Sequence, residues 1–214
     1  MRLLPDTAAI TAKEMSFGGR DLLQSDQKSA AYWRGREVAM IFQDPHLALN
    51  PIMKIGSQIT ETYKRHIGHE TLAARRYGLR LLEAVHITDP SLMWNSYPRE
   101  LSGGMAQRAM IALMLACNPQ FLIADEPTSA LDVLARQAVL EILDEQVESR
   151  GMGLLLISHD LGLVKNFCDR VVVIRDGKDI DTLPASKLDD SSCPYTRSLL
   201  AAQPCLLNPV DGSV

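Results

Sequence analysis

Short apolar runs alternate with longer stretches of helical periodicity along this chain. Glu37-Val38-Ala39-Met40-Ile41-Phe42, Phe121 to Ala124 and Gly153 to Ile157 are apolar over strand length, which predicts strands buried on both faces. Arg170 to Arg175 reads as a further strand, preceded by a short helix over Leu161 to Cys168. From Ile55 to about Ile87 the pattern is helical: Leu72, Leu79, Leu82 and Val85 or His86 recur at helical steps, with Arg75, Arg76 and Arg80 on the other side. Asp89-Pro90 and Tyr97-Pro98 then break the chain. Helices are predicted over Ser102–Cys117 and, amphipathic, over Val133–Val147.

Nearer the start, Lys13 to Phe17, Gly18-Gly19 and Arg20 to Leu23 read as a strand, a tight turn and a second strand. Ser25 to Arg34 predicts a short polar helix, and Leu3-Leu4, stopped by Pro5, reads as the last turn of another. Strands alternating with helices imply an α/β fold with a mostly parallel sheet covered on both faces. The helical stretch between residues 55 and 117 interrupts that alternation and reads as an inserted subdomain. The polar end from Asn208 to Val214 is expected to fray.

A length of 214 residues supports one domain with a full core, or one domain with a small helical insertion. Hydrophobic content of 46% with 22% charged residues is ordinary for a globular chain. A net charge of -4 gives no basic footprint for nucleic acid. Cys117, Cys168, Cys193 and Cys205 form no CxxC pair and no metal-ligand spacing, as expected of isolated reduced thiols. The stretch before Pro5 is too short for a signal peptide, and no apolar run reaches membrane-spanning length, so membrane association is expected through a partner.

Two motifs carry the chemistry. Leu101-Ser102-Gly103-Gly104-Met105-Ala106-Gln107-Arg108 opens a helix. Serine is a preferred N-cap, and the glycines let a ligand reach free backbone N–H groups at the positive end of the helix dipole, which suits a phosphate. Phe121 to Ala124 then delivers Asp125 and Glu126 to the carboxyl edge of a sheet, where ligands bind in open α/β folds.

With these motifs in this order, the chain resembles the nucleotide-binding subunits of ATP-binding-cassette (ABC) transporters. The resemblance runs from about residue 10 to 204. Phe42-Gln43-Asp44-Pro45, Leu49-Asn50-Pro51, Met105, and Pro194-Tyr195-Thr196 with Leu199 to Ala202 resemble the oligopeptide, dipeptide and nickel importer branch, although Cys193 stands where histidine is usual. The resemblance implies ATP and Mg²⁺ as cofactors. Asp125 would hold Mg²⁺ through its water shell, Glu126 would polarise the attacking water, and Gln43 would reach both metal and water. His159, after the run Leu154 to Ile157, matches the switch histidine. Ser102, Gly103, Gly104 and Gln107, with Asp132 of the D-loop Ser129-Ala130-Leu131-Asp132, would close over the nucleotide held by an opposite subunit.

The implied partners are a second ABC ATPase subunit, integral permease subunits reached through the Q-loop region, and indirectly a solute-binding protein, with no nucleic acid. The implied location is the cytoplasmic face of the inner membrane. The expected organisation is an ABC-type P-loop NTPase core. Residues 1–54 would hold the remainder of the N-terminal β region and the Q-loop, and 55–117 the helical subdomain with the signature. Residues 118–183 would hold the α/β core with Walker B, D-loop and H-switch, and 184–214 a C-terminal helical segment and tail.

One departure is large. No phosphate loop of the form G-x-x-x-x-G-K-S/T occurs in the 214 residues, and the single Gly-Lys pair, Gly177-Lys178, lies in a late strand turn. The first strands are accordingly expected to be absent too, and Met1 to be an internal methionine of a longer frame. The cysteine-rich tail that binds an iron–sulfur cluster in some peptide-importer ATPases is missing, so no cluster is expected. One rival is a catalytically dead subunit that lends its signature to an intact ATPase. Another is an ABC protein of DNA maintenance or translation, against which stands the absence of a long coiled insertion or a second cassette.

Overall fold

A computed structural model describes residues 7–24 and 27–202 of the chain. The helix end expected at Leu3-Leu4 and the tail from Asn208 lie outside the described residues. The chain divides into two compact units, Met1–Ile157 and Ser158–Val214.

The first unit opens on an antiparallel hairpin of β1 (Ser16–Phe17) and β2 (Arg20–Asp21), each shorter than the run expected for it. Gly18 and Gly19 carry it round at φ +57° and +75°, the two consecutive left-handed residues of a type I′ turn. Helix α1 (Gln27–Trp33) buries Ala30 and Trp33 against Val38, where β3 (Val38–Ile41) begins.

The block expected from Ile55 to Ile87 is two helices, α2 (Ile55–His66) and α3 (Thr71–Ala84). Gly68 lies just past α2, where the N–H groups of Ile67 and Gly68 both turn back to the Tyr63 carbonyl. The buried stripe of α3 runs through Ala74, Gly78, Leu81 and Leu82 to Val85; Leu72, expected on that face, is 68% exposed. Asp89-Pro90 starts a helix as well as breaking one. Asp89 caps α4 (Pro90–Asn95) by accepting from the Leu92 N–H at 2.8 Å, and proline suits a first turn that needs no N–H. Trp94 of α4 fills the space between α2 and α3. A Cβ built on Gly56 would lie 2.2 Å from its ring, and one on Gly78 2.4 Å.

Helix α5 (Gly103–Leu115), strand β4 (Phe121–Asp125), helix α6 (Val133–Arg150) and strand β5 (Gly153–Ile157) complete the unit. The strands β3, β4 and β5 form a parallel sheet in that order, with Ile41, Ala124 and Leu156 in register. Burial on both faces does not extend to β5. Among the described residues it has a strand neighbour on one side only, and Leu155 and Ile157 are 48% and 44% exposed.

The second unit holds α7 (Leu161–Phe167), the antiparallel pair β6 (Arg170–Arg175) and β7 (Lys178–Pro184), and α8 (Pro194–Ala201). Its core is Leu161, Val164, Val171, Val173, Ala185 and Leu188. Asp181 of β7 accepts from the hydroxyls of Ser191 at 2.5 Å and Thr196 at 2.7 Å. These bonds tie α8 to the hairpin and hold the Asp181 carboxyl below its ordinary range.

Candidate functional site

A parallel sheet sends its strand carboxyl ends to one edge, and here that edge collects three of the residues singled out by sequence. Gln43 follows β3 and is exposed; Asp125 is the last residue of β4 and half-buried; Glu126 comes next, also half-buried. The Glu126 backbone turns into the left-handed region at φ +47°. For a residue with a Cβ that conformation costs about 1–2 kcal/mol, so its surroundings must hold it there. Its N–H donates to the Ile157 carbonyl at 3.0 Å, and its own carbonyl accepts from the Ser129 N–H at 3.2 Å and the Ser129 hydroxyl at 3.1 Å.

The next carbonyl is held from elsewhere. Pro127 is buried, and its oxygen accepts a 2.7 Å bond from Nε2 of Gln107, a side chain 1% exposed on α5. The sequence signal for this tie was faint. Gln107 is the single uncharged polar residue in the otherwise apolar register of α5, where an amide must find a partner or cost free energy.

Helices α5 and α6 begin side by side. The exposed Ser102 caps α5, its Oγ accepting from the Met105 N–H at 3.4 Å, and Asp132 caps α6 by accepting from the Ala135 N–H at 2.9 Å. A Cβ on Gly103 would come 3.9 Å from Leu131, and one on Gly104 3.4 Å from Ala135. The first turn of α5 carries N–H groups that have no intrahelical acceptor, an arrangement that suits an anion. His159 is exposed and belongs to the second unit, just before α7. Beside it the Ser158 hydroxyl accepts from the Asp160 N–H at 3.1 Å, and Asp160 caps α7 through the Leu163 N–H at 3.0 Å.

Among the described residues no three His, Cys, Asp or Glu side chains gather as a metal-binding group. The oxygen donors at the sheet edge, the Asp125 carboxylate and the Gln43 amide, suit an Mg²⁺ that keeps most of its ligands as water and phosphate. No helix among the described residues is long and apolar enough to cross a membrane.

A parallel sheet ending in Asp-Glu, beside a helix opened by Ser-Gly-Gly, defines a class of protein. Residues 2–129, more than half of the chain, match the ABC transporter family, and the chain belongs to it. It is 42% identical over 208 residues to the oligopeptide transport ATP-binding protein OppD of Bacillus subtilis, covering 96% of this chain and 58% of that protein. It is 41% identical over 205 residues to the dipeptide transport ATP-binding protein DppD of Escherichia coli, covering 95% and 63%. A probable peptide ABC transporter ATP-binding protein of Sinorhizobium fredii, y4tR, is 41% identical over 206 residues, covering 95% and 62%. The chain therefore spans about three fifths of the length of the curated relatives it matches.

The fold is that of ABC ATPase cassettes. It superposes on the ATP-binding cassette MJ0796, solved as a dimer in a post-hydrolysis state bound to ADP and Pi, with a TM-score of 0.71 at 24% identity over 80% of this chain and 73% of that one. For cbiO1 from Clostridium perfringens the TM-score is 0.71 at 22% identity, over 82% and 67%.

Proposed function

We propose that the chain is part of an ATP-hydrolysing subunit of an importer for peptides or a related small solute. It would work as one of two ATPase subunits on the cytoplasmic face of the inner membrane, against permease subunits served by a solute-binding protein. The observation that carries this reading is the carboxyl edge of the sheet, where Gln43, Asp125 and a Glu126 held in a costly backbone conformation project from neighbouring strand ends. A bound Mg²⁺ would supply charge neutralisation at the phosphates. Asp125 and Gln43 are the residues to hold it. Glu126 would orient a water and take its proton, and His159, in the second unit, is assigned its switch role from the resemblance alone. Ser102, Gly103 and Gly104 offer the positive end of α5 to the phosphate of an opposing subunit, with Asp132 beside them.

A second reading rests on a sequence observation: the 214 residues contain no phosphate-cradling loop. In that case the chain lends its α5 N-terminus to a partner's nucleotide, and Glu126 has no triphosphate of its own. One experiment separates the two. The complete reading frame is co-expressed with its permease and ATPase partners, and ATP turnover is compared for Glu126→Gln and Gly103→Asp. Loss of turnover with Glu126→Gln, on the order of 10²–10⁴ for removal of a general base, supports hydrolysis at this chain's own site. Normal turnover with Glu126→Gln but loss with Gly103→Asp supports the lending subunit.

A further inference from the structure

We infer that Gln107 is a positioning residue for Glu126: it ties the signature helix to the turn that carries the carboxylate, rather than touching nucleotide itself. The inference rests on the reading of Glu126 given above. Its physical basis is the fate of successive carbonyls after β4. The Glu126 carbonyl is taken twice by Ser129, through its N–H and its hydroxyl. The Pro127 residue has no N–H to anchor it, and its buried oxygen depends on the 2.7 Å bond from Gln107 Nε2. Without that bond, the Pro127–Thr128 peptide, one residue past the left-handed glutamate, loses the partner that fixes its plane.

The donor's address gives the tie its meaning. Gln107 lies one helical turn from Gly103, on the helix whose first turn is Ser102-capped and offered to an anion. Beside that bond, a Cβ on Gly103 would come 3.9 Å from Leu131 at the end of the turn, and one on Gly104 3.4 Å from Ala135 in the first turn of α6. A shift of the α5 N-terminus on meeting a phosphate is therefore delivered to the Glu126–Leu131 turn through a short buried bond. Gln107 links the half-site this chain presents to an opposing subunit with the carboxylate it uses itself.

The test uses three variants. Gln107→Met keeps length and removes the donor. Gln107→Glu keeps shape, but its carboxyl donates only when protonated. Ser129→Ala removes the second tie and is mild enough to fold if the first two do not. In the chain, amide hydrogen exchange should quicken about tenfold at Ser129 and Leu131 with Gln107→Met and severalfold with Ser129→Ala, with β3 and α3 unchanged. With Gln107→Glu, protection should persist near pH 6 and vanish by about pH 9, the range in which a buried carboxyl ionises. In the assembled transporter, kcat should fall about tenfold with Gln107→Met at unchanged KM for ATP, as for an interaction made only in the transition state. Under Gln107→Glu it should fall with rising pH where the parent's does not. Unchanged exchange in the turn for all variants that fold overturns the tie. A dead Glu126→Gln beside a Gln107→Met with parental kcat overturns the inference and leaves the functional reading standing. A Glu126→Gln with parental turnover sinks that reading instead, while the exchange result still decides the tie.

Discussion

Gly78→Ala offers a sign test of the packing in the helical subdomain. In an exposed helix the change should stabilise by about 1 kcal/mol, since alanine is the better helix former. At residue 78 the new Cβ would lie 2.4 Å from Cζ3 of Trp94 and 2.8 Å from Cγ2 of Ile59, against an ordinary contact of 3.4 Å or more. Relief needs a shift of about 1 Å, the difference between those distances. Neither neighbour can give it: Ile59 is fully buried, and the Trp94 ring is already pressed against Gly56 on α2. Overpacking of this kind costs about 1–3 kcal/mol, and with no room to retreat the upper end applies. Subtracting the propensity gain leaves a net loss of about 2 kcal/mol, or about 4–8 °C in Tm for a chain of this size. Urea unfolding followed by circular dichroism measures it. In a Trp94→Leu background the loss should shrink to what the Ile59 contact alone imposes, so the double-mutant cycle isolates the indole's share of the clash. A higher midpoint for Gly78→Ala, or a loss undiminished without the indole, would refute the argument.

Other expectations follow from the same structure. The purified 214-residue chain should bind Mg-ATP weakly, because the N–H groups and lysine of a phosphate loop have no counterpart in its sequence; micromolar affinity by calorimetry would contradict this. Burial pushes the Cys117 thiol from 9.0 to about 11, so the unfolded chain gives up that proton first. The stability from Cys117 is complete below about pH 9 and lost by about pH 11, and Cys117→Ser should flatten that part of the stability profile. Cys193, whose thiol is lowered by the Thr196 N–H and hydroxyl at the start of α8, should alkylate well before Cys117 near neutral pH, as mass spectrometry of the labelled chain would show. Asp181 runs the other way: its depressed carboxyl supports the second unit above its ordinary range and loses that support as acid protonates it, so Asp181→Asn should reduce the acid sensitivity of hydrogen exchange in α8.

The order of elements was legible because strand-length apolar runs and helical periodicity leave different marks. Val38–Ile41, Phe121–Asp125 and Gly153–Ile157 are strands where the runs stood, and Ser102 caps its helix as its residue type predicts. The errors came from features that periodicity does not encode. A gap between α2 and α3 was hidden by helical composition on both sides, and the face of α3 was misjudged because its contact uses Gly78, which has no side chain to count. Exposure of β5 depends on what covers its faces, which is set by elements distant in sequence; among the described residues it pairs with β4 alone. At the site, sequence named Gln43, Asp125 and Glu126 by position after strands. It had no means to see the left-handed backbone of Glu126, or that the Pro127 carbonyl is held by an amide from the signature helix.

The positive φ of Glu126 has a consequence for anyone sorting variants of this protein. A library covering residue 126, scored separately for abundance in the cell and for uptake, should split into two kinds of failure. Glycine, asparagine and aspartate accept the left-handed region, so those chains should accumulate normally and, on the proposed function, fail only in transport. Valine, isoleucine and threonine resist it, and those chains should be scarce before their chemistry is ever asked for. A transport-negative allele at this codon is therefore ambiguous until protein level is measured, since backbone demand and chemical demand fall on the same residue.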